Sequence, residues 1–150
     1  MLAMLVLISC VDDGPKEQLV TAEGIIFGHF FGECIGDKCV VIFMLTDEVV
    51  FRATNSSYPS SASGFEGTYK RMDNAAFDKV KGLRTQIPSG LFSAPTVVGM
   101  PDYADGGGLY FEMTVDGERR FWLIDKTRQN VPEELHPFMA QIEQAIAALI

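Results

Sequence analysis

The chain has 150 residues, 47% of them hydrophobic and 21% charged, a length that one domain accounts for and a composition far from that of disordered chains. Twenty acidic and twelve basic residues leave a net charge of −8. That balance argues against nucleic acid, which needs a basic stripe to displace counterions, and against peripheral docking on anionic lipid. Any attachment to a membrane therefore has to be hydrophobic or covalent.

Residues Met1 to Ser9 are uncharged, mostly apolar, and run into Cys10. Nine residues of helix reach only about 14 Å against a hydrocarbon core of ~30 Å, too short to span it. The segment has the length of the apolar core of a secretory signal. Leu7-Ile8-Ser9-Cys10 resembles the lipobox of bacterial lipoproteins. That resemblance implies cleavage before Cys10 and a diacylglycerol on its sulfur. No Lys or Arg precedes Leu2, and a buried first strand is the alternative reading. Val11 to Gln18 is polar and turn-rich, as a tether would be. Its Asp12-Asp13 pair resembles the surface-export signal of Bacteroidota lipoproteins. The expected organisation is a signal peptide over 1–9, a lipidated tether over 10–22 and one globular domain over 23–150. The expected location is the outer membrane of the cell envelope, facing the periplasm or the surface.

Cys34 and Cys39 have four residues between them, two more than a redox Cys-x-x-Cys motif has. A zinc site would need two further ligands, and only His29 and His136 are present as imidazoles. The remaining reading is a disulfide across the mouth of a hairpin turned at Gly36-Asp37, contributing roughly 2 kcal/mol and implying an oxidising compartment. With Cys34 opposite Cys39, Phe31 is expected to face Ile42, and Phe30 to face Phe43. The flanking segments, Gly24 to Phe31 and Val40 to Leu45, are apolar on both parities, as in strands covered on both faces.

A short strand follows at Val49-Val50-Phe51. Thr54 to Gly64, with five serines, reads as a mobile surface loop. Asp73 caps a helix whose apolar positions Ala76, Phe77, Val80, Leu83 and Ile87 recur at helical spacing until Pro88 stops it. After a strand at Thr96 to Val98, Leu109 to Val115 alternates, Asp116-Gly117 turns, and Glu118 to Ile124 returns. This register pairs Phe111 with Trp122 and Leu109 with Ile124. Val131-Pro132-Glu133-Glu134 opens the last helix, with a short turn and a restart at Pro137. The expected fold is α+β: an antiparallel sheet of two hairpins plus short strands, with two helices packed on it as a two-layer sandwich.

Few groups converge for catalysis. His29 and Cys34 fall on opposite faces of a strand, and both histidines read as structural. Asp102 and Asp105, beside Gly106-Gly107-Gly108 and with Glu112 near, could offer oxygens to calcium, but without the spacing of a calcium loop. Residues from Gly99 through Pro137-Phe138 resemble uncharacterised Bacteroidota lipoproteins, a resemblance that implies no particular activity. Tyr110, Phe121 and Leu123 share the face opposite Trp122 and form a candidate interaction patch if nothing covers them. The function expected is a non-enzymatic, lipid-anchored module that binds another envelope protein as an inhibitor or accessory subunit. The alternative is a small hydrolase or metal-dependent enzyme built on Asp102, Asp105 and Glu112.

Overall fold

The computed structural model describes residues 19–150; the signal, Cys10 and most of the tether lie outside them. The strands are β1 (Leu19–Val20), β2 (Gly24–Phe30), β3 (Val40–Leu45), β4 (Val50–Ala53), β5 (Tyr69–Arg71), β6 (Ile87–Pro88), β7 (Val97–Val98), β8 (Gly108–Val115) and β9 (Glu118–Asp125). Two α-helices, α1 (Asn74–Val80) and α2 (His136–Leu149), are joined to them by short 3-10 turns.

Seven strands form one sheet in the order β5-β4-β3-β2-β8-β9-β7. Its pairs are antiparallel except β7, which runs parallel to β9, so the sheet is mixed rather than purely antiparallel. The two helices cover one face, giving the α+β sandwich. Ile25, Phe27, Phe43, Leu109, Phe111, Trp122 and Ile124 bury that face against Phe138, Met139, Ile142 and Ile146 of α2. The last hairpin forms in the expected register, Phe111 opposite Trp122 and Leu109 opposite Ile124. Its two turn residues, Asp116 and Gly117, both have positive φ (52° and 76°), as a two-residue turn between right-twisted strands requires.

Three expectations change. The first hairpin pairs Phe30 with Val40 and Phe27 with Phe43, not Phe30 with Phe43 or Phe31 with Ile42. The ladder instead continues through the Phe31 amide donating to the Cys39 carbonyl at 2.8 Å. Cys34 is therefore inside the loop, and the disulfide (Cα–Cα 5.4 Å) closes that loop instead of linking opposed strand positions. An odd shift of register also exchanges the faces of one strand relative to its partner.

The first helix keeps its cap, with the Ala76 amide donating to Asp73 at 2.8 Å, but ends at Val80. Lys81–Thr85 tightens to 3-10 geometry around Gly82, and Ile87–Pro88 is drawn into pairing with β1. That pairing also places Leu19–Val20 in the folded body, and Ala22 is buried, so the last residues assigned to the tether belong to the domain.

The serine-rich segment, thirdly, lies over the sheet. Thr54 and Thr68 are joined by backbone and hydroxyl contacts, and Asn55 bonds to Ser57, Glu66 and Thr68. Beneath it a second apolar cluster of Phe30, Val40, Ile42, Phe65, Tyr110 and Leu123 fills the face away from the helices.

Candidate functional site

On that second face the strand alternation places Tyr110, Glu112, Phe121 and Leu123 side by side, as read from the sequence. They do not form an open patch. Tyr110 is fully buried and Leu123 nearly so, while Phe121 is half-buried against Tyr110. The cover is the serine-rich segment, through Phe65 and Gly64. Gly64 has φ +77°, and a Cβ there would lie 2.6 Å from the Tyr110 hydroxyl and 2.9 Å from the Arg119 guanidinium, so the segment approaches as closely as a glycine allows.

A polar clasp holds this cover down. Arg119 donates from Nε to Glu112 Oε1 at 2.6 Å and from a terminal nitrogen to Oε2 at 2.9 Å, a two-pronged pair. It also reaches the carbonyls of Ser63 (3.1 Å) and Phe65 (3.3 Å). The Tyr110 hydroxyl donates to Glu112 and accepts from the Phe65 amide at 2.9 Å. Burial, then the bond to Glu112, pushes the Tyr110 phenol well above its ordinary range; burial and the Glu112 charge push Tyr69 up to about 12. The hydrogen bonds that Arg119 donates to Glu112 favour its charged guanidinium. Every oxygen of Glu112 is thus occupied by the fold.

The expected metal set is not assembled. Asp102 accepts from the Tyr58 hydroxyl at 2.7 Å and from the Gly107 amide at 3.1 Å, whereas Glu112 is committed to Arg119 and Tyr110. Among the described residues no three His, Cys, Asp or Glu side chains lie where they could hold a metal ion. Asp102, Ala104 and Asp105 all have positive φ between 50° and 61°. Three such residues in one short segment store backbone strain, a feature that clusters in ligand-contacting loops.

His136 sits with Nε2 2.9 Å from the carbonyls of Arg128 and Val131 and holds the turn before α2. Asp125, buried at the end of β9, accepts from the amides of Met100 (3.0 Å) and Thr127 (2.8 Å) and from Asn130 Nδ2 (2.7 Å). Burial alone would raise its pKa, but these donors outweigh it and hold the carboxyl below its ordinary value of 3.8. A depressed carboxyl pKa adds stability above the unfolded value and loses it as pH falls through the folded one. Urea unfolding followed from about pH 4 downward should show this loss. Asp125→Asn should flatten it, and an unchanged acid limb in the variant would refute the assignment.

The side chains that sequence reasoning missed gather at one end of the sheet. β2 begins at Gly24 opposite Thr114 and ends at Phe30 opposite Gly108. Leu19–Val20 belongs to the Gly24 end, where Ala22 and Glu23 bond to Arg84 and Thr114. The Phe30 end, about 20 Å away along the strand, carries three loops tied together. The Tyr58 ring meets Phe30 edge-on at 5.1 Å while its hydroxyl holds Asp102. A Cβ on Gly32 would lie 2.3 Å from the Asp102 carboxylate, and one on Gly107 would lie 2.3 Å from the Phe31 ring. These loops leave Ile35, Tyr58, Met100 and Tyr103 exposed.

Beside the disulfide, on the helix side, a concavity of about 870 Å³ is lined by His29, Phe31, Cys34, Val41, Arg52 and Asp105, among others. Burial, opposed in part by the Lys38 carbonyl and helped by the Lys126 charge, lowers the His29 pKa and so favours the neutral imidazole. Its Nε2 faces that carbonyl at 3.1 Å and must donate, since the carbonyl can only accept.

No family model, curated protein or solved structure matches the chain. What fold and site define by themselves is a small, disulfide-closed α+β sandwich with four of its exposed large apolar side chains, Ile35, Tyr58, Met100 and Tyr103, on loops at one end.

Proposed function

We propose that the chain is an exported, lipid-anchored binding module of the bacterial cell envelope that recognises another protein through the loops at the Phe30 end of the sheet. The observation that carries this reading is the exposure of Ile35, Tyr58, Met100 and Tyr103 on mutually braced loops. Large amphipathic side chains on serine-, glycine- and aspartate-rich loops are the composition of protein-binding surfaces, where tyrosine supplies contact area at little conformational cost. The same loops carry Glu33, Asp37, Asp102 and Asp105 against Lys38, which fits a partner with an apolar centre and a basic rim.

The anchor proposal rests on the Leu7 to Cys10 lipobox resemblance, and the disulfide is compatible with an oxidising compartment. An anchor at Cys10 would join the domain at the Leu19 end, the end of the sheet opposite the braced loops. The enzyme alternative loses its main support, since Asp102 and Glu112 are held by separate partners.

Affinity purification of the lipidated protein from its own membranes tests both parts. Cys10→Ser is expected to release the protein into the soluble fraction. The paired change Ile35→Ser with Tyr103→Ser is expected to lose a near-stoichiometric partner while leaving the melting temperature unchanged. Retention of that partner by the paired variant would overturn the loop reading, and membrane retention of Cys10→Ser would overturn the anchor.

A further inference from the structure

The concavity beside the disulfide shares Glu33, Asp37, Lys38 and Asp105 with the exposed loops, but its floor is built from strand residues. His29, Val41 and Arg52 lie on β2, β3 and β4, on the face that the helices cover: His29 is opposite Val41, and Arg52 is opposite Phe43 of the helix-side core. Arg52 is also directly opposite Lys70 of β5. Two like charges at directly opposed strand positions repel, and a sheet gains nothing by placing them there. Among the described residues neither cation belongs to an ion pair. Away from Arg52 the lining carries three acids, Asp105 ahead of β8 and Glu33 and Asp37 on the disulfide loop, against Lys38 of that loop and Lys126, whose ammonium lies 4.7 Å from the Phe31 ring. Phe31, Val41, Cys34 and Ile150 supply the apolar part of its wall.

A simple fatty anion attracted to Arg52 would lie along three carboxylates. A zwitterion with an apolar middle satisfies both ends. From β8 to β4 is three strand spacings, about 14 Å at ~4.8 Å each, which an extended chain of about four residues spans at ~3.3 Å per residue. A volume of about 870 Å³ is of the order that such ligands occupy. We propose that this concavity binds a short extended peptide with free ends, its C-terminal carboxylate at Arg52 and its ammonium group toward Asp105. Guanidinium is the group best shaped to take a terminal carboxylate on two N–H donors. His29, its Nε2 held by the Lys38 carbonyl and its pKa lowered by burial, adds a polar group to the floor.

The probe is an alternating alanine–leucine tetrapeptide, titrated into the full chain by calorimetry and by NMR. The free-ended peptide is expected to bind and to shift the resonances of His29, Val41 and Arg52. Its C-terminal amide should bind at least about tenfold more weakly, the usual loss when a charge-assisted contact is removed. Arg52→Gln should weaken the acid by the same factor and leave the amide unaffected, and Asp105→Asn should do likewise for the free against the N-acetylated amine. Because the amide and acetyl forms probe the wild-type protein, the result does not depend on how the variants fold. Equal affinity for acid and amide, shifts mapping elsewhere, no binding at millimolar peptide, or binding of decanoate in its place would each overturn the proposal.

Discussion

Arg119→Met is expected to lower the unfolding free energy by about 2–4 kcal/mol and to free the serine-rich cover, read as loss of hydrogen-exchange protection at Phe65. Glu112 is 5% exposed, and Arg119 supplies two of its three donors. Removing one partner of a buried ion pair leaves the other desolvated and unpaired, which costs 3–5 kcal/mol where the pair is fully enclosed. The Arg119 side chain is 44% exposed, so water repays part of that loss. The Ser63 and Phe65 carbonyls lose their donor in the same step. The double variant Glu112→Gln with Arg119→Met should recover more than half of the loss, because the carboxylate charge is then gone while the Tyr110 hydroxyl keeps an acceptor. A double variant no more stable than Arg119→Met would show that the pair is not what holds the cover.

The second large effect is expected at Gly28. It lies in the middle of β2, opposite Ile42 of β3 on one side and Tyr110 of β8 on the other. A Cβ there would fall 2.0 Å from the Val41 carbonyl oxygen and 2.8 Å from the Ile42 Cα. Both are backbone atoms of the neighbouring strand, so relief requires the β2–β3 pairing to open at the centre of the sheet. Gly28→Ala should therefore cost about 3 kcal/mol or more, at the upper end of overpacking effects. Gly24→Ala, at the start of the same strand, is the control. Its Cβ would meet only the Leu45 carbonyl at 3.7 Å, an ordinary contact, and its cost should stay within about 1 kcal/mol. Urea midpoints of the two variants decide the matter, and similar values would refute the crowding argument.

The two hairpins show why one register was legible and the other was not. In β8–β9 the alternation, the two-residue Asp116-Gly117 turn and the apolar pairs all specify one pairing, and that pairing forms. In β2–β3 both strands are apolar on both parities, so the pattern does not choose a register. The cysteine spacing then suggested a pair of opposed strand positions, whereas the disulfide lies in the loop, beyond the end of the ladder. A disulfide constrains the distance between two residues without saying whether either belongs to a strand.

The candidate site divides along the same line. Local chemistry in the sequence determined the Asp73 cap, the last hairpin, the restart of the final helix at Pro137, and the shared face of Tyr110, Phe121 and Leu123. Each depends on residues close in the chain or on a strict period. Only the tertiary structure decided that Phe65, 45 residues before Tyr110, closes over that face, that Arg119 fastens it there, and that Arg52 stands opposite Lys70 at the end of a concavity. A serine-rich segment looks like solvent-facing loop by composition. Phe65, the buried ring directly after it, acquires a role when strands distant in sequence build the surface it covers.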